Sequence, residues 1–298
     1  MTTVNTYTVS GTTPYIAGVY EQEWETKLQE RLDYPTNWKA CCNVIYTNSQ
    51  VFNVPYMSTE SAAQTLTRGC AYGYSQFALT NDQVNITSAK IVPMFIDRAD
   101  AFQCSLIGQM ELAELQGKLL NEAIESAWLT DSIGCTEVGL TNGAIASGST
   151  TAITVDITNV GDLVRGTKRI IRKANGQSLM NRNGVYFIWD PERFELLEKY
   201  AQNNGYNTAD NALKNGVDVA FSYLGAEHYV SNSLTSAHCH AGVKGIYQIG
   251  ILKGTYGQKV VNQDPAATSG IGVVSRIDYG LNIPTGLATI LFDINITA

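Results

Sequence analysis

Charge is what this chain has least of: Asp, Glu, Lys and Arg make up 16% of its 298 residues, against about 25% in typical globular domains. Interface cores are depleted in charge, so this composition suits a chain that keeps much of its surface against other protein. A weakly charged monomer is the alternative. Cations are the scarcer sign, 20 against 27 anions, for a net charge of −7. That argues against a protein whose main task is tight nucleic-acid binding, which needs clustered Lys and Arg to neutralise phosphates. Long apolar runs are also missing. "IVPMFI" at 91–96 is among the longest, far short of the roughly 18 residues that span a bilayer, so no membrane partner is expected. The opening "MTTVNTYTVSGTTPYIAGVY" has neither a basic start nor an apolar core, which excludes a secretory signal there.

Catalytic signatures are equally scarce. There are three histidines, and no GxSxG, Walker, HExxH or GxGxxG pattern. No enzymatic role and no cofactor are expected. The six cysteines, Cys41, Cys42, Cys70, Cys104, Cys135 and Cys239, form no CxxC pair and read as free thiols. "AHCH" brings His238, Cys239 and His240 together. Successive strand residues face opposite ways, so these neighbours are not expected to hold one metal.

What is present is a succession of periodic segments. Residues 1–20 carry no charge and no helical period, and read as an extended arm. Trp24, Leu28 and Leu32 then mark one face of a short helix. "NVIYTNSQVFNVPY" and "QVNITSAKIVPMF" flank a polar middle and read as a long hairpin over 43–95, with Pro55 and Pro93 confined to edges or bulges. In 97–131 the residues Phe102, Leu106, Met110, Ala113, Gly117, Leu120, Ile124 and Trp128 recur at spacings of three and four. This predicts a helix opened by Asp97 and Asp100, about thirty residues and roughly 45 Å long. "VGLTNGAIASGSTTAITV" reads as a loop leading into a strand. "TNVGDLVRGTKRIIRKANG" reads as a helix capped by Asn159, with Asp162 in its first turn and Asn175-Gly176 closing it. "VYFIWDPERFELLEKY" predicts a strand that passes at Asp190-Pro191 straight into a helix, and the remainder is β-rich.

The one cluster of like charge is Arg165, Lys168, Arg169, Arg172 and Lys173 on the helix over about 160–174. An ordinary solvated face is one reading, and a subunit contact or weak phosphate-contacting patch is the other. Five cations neutralise few phosphates.

In order, these pieces resemble the major capsid protein of tailed bacteriophages. The sharpest match is the helix "VGDLVRGTKRIIRKANG", the strand "GVYFIWDP" ending in Asp-Pro, and the helix "RFELLEKY" with its leucine pair. A Gly-rich turn and strand, "LKNGVDVAFSYLGAEHYVSN", and the ending "YGLNIPTGLATILFD" complete it. The resemblance implies an α+β phage capsid fold: an N-terminal arm and short helix (1–42), an extended β-hairpin loop (43–95), a peripheral domain with a long spine helix (96–135 and 255–298), and a mixed α/β axial domain (136–254). It implies a virion shell protein that assembles in the host cytoplasm, as pentamers and hexamers, into an icosahedral container for double-stranded DNA. The implied partners are further copies of the chain, a portal and a decoration or cement protein. The basic helix would touch packaged DNA weakly. Two departures bear on this. The arm follows the initial Met at once, with no long assembly domain before it, which implies a separate scaffolding protein. No lysine lies between Lys39 and Lys90 to cross-link through the loop. An encapsulating protein nanocompartment of the same fold, and a β-rich binding module or hydrolase forming small oligomers, stay open as alternatives.

Overall fold

Five consecutive residues of strand β7 (Val185–Trp189), Val-Tyr-Phe-Ile-Trp, are all buried, and the fold is built outward from them. The structure, a computed structural model, describes residues 37–57, 68–69, 79–97, 106–174, 176–203, 222–235, 237–253, 257–262 and 270–297. The arm (1–20), the short helix through Trp24, Leu28 and Leu32, the hairpin tip apart from 68–69, and Asp100, Phe102, Cys70 and Cys104 lie outside these residues. The chain divides into two units, each drawn from separated segments. One comprises Met1–Pro35, Lys90–Asn121 and Thr255–Ile277; the other comprises Thr36–Ala89, Glu122–Gly254 and Asp278–Ala298.

The second unit holds a seven-stranded sheet in the order β6-β5-β14-β10-β7-β9-β8. Its strands are β5 (Thr136–Thr141), β6 (Ala144–Ser147), β7, β8 (Ser222–Tyr223), β9 (Ala226–Val230), β10 (His238–Val243) and β14 (Leu291–Asn295). β10 runs antiparallel to β7 and β14, whereas β7–β9 and β14–β5 are parallel pairs. A strand paired on both edges and covered on both faces reads as an unbroken apolar run, which is why β7 does not alternate. β14 thus stands in this sheet between β5 and β10, and residues 278–298 fall in the same unit as 136–254. The segment read as a loop, 138–155, instead contains the β5–β6 hairpin. Asn142 and Gly143, at φ 52° and 75°, make the two-residue turn whose twist matches the flanking strands.

Helices α3 (Val160–Lys173), α4 (Gln177–Asn183) and α5 (Pro191–Asn203) belong to this unit too. α3 buries Val160, Leu163, Val164, Thr167, Ile170 and Ile171 on one side and leaves its basic side outward. Its cap differs from expectation. Asn159 accepts no hydrogen bond from the helix end, because its Oδ1 is taken by the Asp156 N–H (2.8 Å). Asp156 does the capping one turn earlier, accepting from the Thr158 and Asn159 N–H groups and from the Thr158 hydroxyl (2.6 Å). Those bonds, the Thr158 hydroxyl foremost, hold its carboxyl below the usual range. At the strand-to-helix junction α5 begins at Pro191, as the sequence predicts, and Asp190 caps it. Its Oδ1 accepts from the Glu192 N–H (3.2 Å), its Oδ2 from Arg193 (2.9 Å), and Pro191 takes the first helical position.

The hairpin is shorter than 43–95. β2 (Val51–Met57) and β3 (Leu79–Asn85) form a two-stranded antiparallel ribbon from Val51↔Asn85 to Met57↔Leu79. The flanking segments join other strands. β1 (Asn43–Thr47) lies parallel to β11 (Gln248–Leu252), steered there by helix α1 (Asn37–Cys41), whose Trp38 and Cys41 are fully buried. β11 in turn pairs with the end of β13 (Gly270–Asn282).

In the first unit, β12 (Gly257–Asn262) pairs with the beginning of β13, and β4 (Ser88–Asp97) also pairs with β13. Asp97 ends β4 instead of opening a helix, because the alternating "AKIVPMFID" continues as strand. Helix α2 (Leu106–Ser132) has 27 residues, about 40 Å of rod. Leu120, Ile124 and Trp128 are buried as their spacing predicts. Gln116 is buried as well: its Nε2 donates to the Val92 carbonyl (3.3 Å) and its Oε1 accepts from Ser275 Oγ (2.7 Å). Both ends of the amide are thereby satisfied, as burial demands.

Candidate functional site

The basic helix face is the only candidate site the sequence offers, and the fold already occupies part of it. Lys168 Nζ donates to the carbonyls of Leu224 (2.6 Å) and Gly225 (3.1 Å). Leu224 holds a left-handed φ of 53°, unusual for a bulky side chain, and the lysine ties down the carbonyl of that strained turn. Burial, and then the nearby Arg172, push the Lys168 amine below its ordinary range. Arg169 Nη2 donates to the Ile145 carbonyl of β6 (2.8 Å), and Arg172 Nε donates to Gln177 Oε1 (2.9 Å). Arg165 pairs with Asp162 at 3.2 Å, both of them exposed, and Lys173 is exposed. Arg165, Arg169, Arg172 and Lys173 therefore share an outward face, while Lys168 works inside the fold.

The histidines are consumed in structural roles. Trp189 Nε1 donates to His228 Nδ1 (3.0 Å), and His228 Nε2 donates to the Tyr223 carbonyl (3.0 Å). His240 Nδ1 donates to the Phe292 carbonyl (2.9 Å), and its Nε2 accepts from the Tyr186 hydroxyl (2.8 Å). Each ring thus uses one N–H and one lone pair, the inventory of a neutral imidazole. Burial holds both far below the usual histidine range, at about 4. His238, partly exposed, faces Asp293 with its Nδ1 2.9 Å from both carboxylate oxygens. Cys239 is fully buried between them in sequence. The "AHCH" residues thus go to separate partners, and among the described residues no group of three His, Cys, Asp or Glu side chains could hold a metal. The four described cysteines are free and buried; burial raises their thiols, Cys135 to about 12.

Two polar clusters escaped the sequence reading. Glu125 of α2 is buried, accepting from the Asn37 N–H (3.3 Å), Asn37 Nδ2 (3.1 Å) and Ser231 Oγ (2.6 Å). Burial raises its carboxyl, against the pull of those bonds. The signal was its place between Ile124 and Trp128, inside the apolar face. At the end of β10, Lys244 donates to Glu227 and to the Tyr229 hydroxyl (2.9 Å), and that hydroxyl donates to Glu227 (2.7 Å). Burial opposes ionisation of Glu227, yet the Lys244 and Tyr229 bonds prevail and its carboxyl lies below the usual range. None of these clusters joins a nucleophile to a free base. Among the described residues, no helix is long and apolar enough to cross a membrane.

The ribbon contrasts with all this satisfied chemistry. Val51, Asn53, Pro55, Asn81, Gln83 and Asn85 are exposed, Phe52 and Val54 half-buried, and burial begins only at its root with Val84 and Ile86.

No family model matches the chain, and no curated protein matches its sequence. Solved structures do match it, end to end. The capsid of Ralstonia phage GP4 superposes with a TM-score of 0.64 at 10% identity, covering 97% of this chain and 98% of that one. The mature capsid of bacteriophage PhiM1 gives 0.61 at 12% identity, over 100% and 97%. A virus-like particle from Pyrococcus furiosus gives 0.54 at 10% identity, over 86% and 90%. These likenesses span the helix-rich and strand-rich segments alike, and the chain has the fold of these phage capsid and virus-like particle chains.

Proposed function

We propose that this protein is the major capsid subunit of a tailed bacteriophage, self-assembling as pentamers and hexamers into an icosahedral shell around double-stranded DNA. The observation that carries the proposal is the end-to-end match to the GP4 capsid, 97% of this chain against 98% of that one. A piecewise match would have supported only a shared module. The ribbon supports it physically, since a lone two-stranded ribbon is marginal in water and gains stability when another surface covers it. On this reading 1–42 is the arm and short helix, 43–95 the extended loop, 96–135 with 255–277 the peripheral part, and 136–254 with 278–298 the axial part. The partners are further copies of the chain, a separate scaffolding protein, a portal and a decoration or cement protein. The shell forms in the host cytoplasm, and no catalytic step belongs to it. The outward face of Arg165, Arg169, Arg172 and Lys173 meets either packaged DNA, weakly and in a salt-dependent way, or a neighbouring subunit.

Electron microscopy of the purified protein tests this. Closed particles tens of nanometres across are expected, and a homogeneous dimer or small ring would overturn the reading in favour of a binding module or hydrolase. The Pyrococcus furiosus likeness favours a second reading, a nanocompartment shell holding protein cargo. Particles that contain protein cargo and no nucleic acid would select it.

A further inference from the structure

The root of the ribbon is mounted on its sheet at two points. Gly250 of β11 and Gly280 of β13 are direct partners in the ladder, so the sheet has a bare place two strands wide. The chain at 84–86 runs across it. A Cβ on Gly280 would lie 2.2 Å from the Asn85 carbonyl oxygen, 2.7 Å from its carbon and 3.1 Å from Ile86 Cα. Those are backbone atoms, which cannot swing aside as a side chain could. A Cβ on Gly250 would meet the tip of Val84 at 3.0 Å, a milder conflict. Val84 and Ile86, both buried, close over the notch.

The second point is polar. Asp82 Oδ2 accepts from the Thr285 N–H (2.9 Å), and its Oδ1 accepts from the Thr285 hydroxyl (2.9 Å). Two bonds from one carboxylate to one residue set direction as well as distance. Thr285 follows Pro284, at φ −61°, and opens the 3-10 helix Thr285–Ile290 that leads into β14.

We propose that Gly280 with Gly250, and Asp82 with Thr285, are positioning residues that fix the angle at which the ribbon leaves the subunit and hence its fit to the next copy of this chain. The proposal rests on the shell reading. A seven-residue strand reaches about 20 Å, so a tilt of about 10° at the root displaces its far end by about 3–4 Å. That is enough to miss a packed contact, because packing tolerates shifts well under a methyl diameter. The glycine notch is rigid and acts as the pivot. The Asp82–Thr285 clasp, at the surface, sets the angle about it.

Asp82→Ala, Thr285→Val and Gly280→Ala test the mount, with amide hydrogen exchange at 83–86 in free subunits and electron microscopy of assemblies as readouts. Asp82→Ala and Thr285→Val should leave the thermal midpoint of the subunit within a few degrees of the parent. They should raise exchange at 83–86 about tenfold, as expected from losing one or two net hydrogen bonds, and cut the yield of closed particles. Parental exchange and parental particle yield in both variants would overturn the proposal. Should Gly280→Ala fail to fold, Asp82→Ala and Thr285→Val decide, the latter keeping the side-chain shape. If the parent protein forms no particles, the shell reading falls, while exchange at 83–86 still judges the mount in the free subunit.

Discussion

In the seven-stranded sheet, β7 is buried at every position and paired on both edges, whereas in the β2–β3 ribbon each strand has a single partner and Val51 is 49% exposed. Both belong to one unit of one chain. The contrast separates two uses of apolar sequence. Around β7 the apolar side chains meet each other, and each large one contributes roughly 1.5–3 kcal/mol to the fold. In the ribbon, Val51, Phe52 and Val54 keep exposed area whose burial needs a second surface. Substitutions in the first region should therefore be felt by the isolated subunit, and substitutions in the second by the assembly.

The largest effect is expected from Trp128→Ala. The indole is fully buried against His240, Tyr186 and Tyr247, with ring centroids 5.5, 6.3 and 6.1 Å away. Its loss should cost about 3–5 kcal/mol, read as a fall in the urea midpoint of the free subunit. A loss below about 1 kcal/mol would remove the distinction between sheet and ribbon.

Acid should weaken the sheet next. His228 and His240 sit at about 4 in the folded protein against 6.5 ordinarily. Between those values the unfolded chain binds protons that the folded chain refuses. Their contribution is thus fully present above pH 6.5 and is lost as pH falls towards 4, about 3 kcal/mol for each ring. Glu125 and Asp293 act in the opposite sense. Burial raises both carboxyls, so the stability they add is present at low pH and lost as pH rises through their folded values. The net decline is therefore smaller than the two histidines alone would give. Urea unfolding at about pH 7 and about pH 5 should show it, and His228→Gln should flatten the dependence. A protein more stable at the lower pH would contradict the neutral roles drawn for both rings.

How much of this was legible in the sequence depends on the distance over which each residue is satisfied. The β7–α5 junction could be read because Asp190, Pro191 and Glu192 solve it locally. So could α3, whose period and basic face lie within fourteen residues. Asn142-Gly143 carried a hairpin signal that the surrounding small polar residues obscured. The partners of β1 and β4 could not be read, since β11 and β13 lie more than 150 residues further on. Glu125 looked solvated by type and is buried by position, and only Asn37 and Ser231, 88 and 106 residues away, explain how.

Smaller effects probe the outer surface. Replacing Arg165, Arg169 and Arg172 by Gln should cost the subunit about 1 kcal/mol, mainly through the Arg169 bond to Ile145. On the proposed reading, shells still form, and those that are filled retain DNA less well at raised salt. Loss of all shells would make this face a subunit contact. Val51→Ser should be smallest in the free subunit, within about 0.5 kcal/mol, yet should reduce particle yield. Equal effects on both would place the ribbon's apolar side chains in the subunit's own core.

The position of β14 also bears on the order of synthesis. It lies between β5 and β10, in the interior of the sheet, yet comprises Leu291–Asn295 at the very end of the described chain. While a ribosome still holds these residues, β5 and β10 each present an open edge, and the sheet is two separate pieces. Chains emerge at about 5–20 residues per second, so β5 and β10 wait in the open for the strand that joins them. A chain stalled before residue 291 should remain protease-sensitive at β5 and β10, and subunits should become competent to join one another only once β14 is in place.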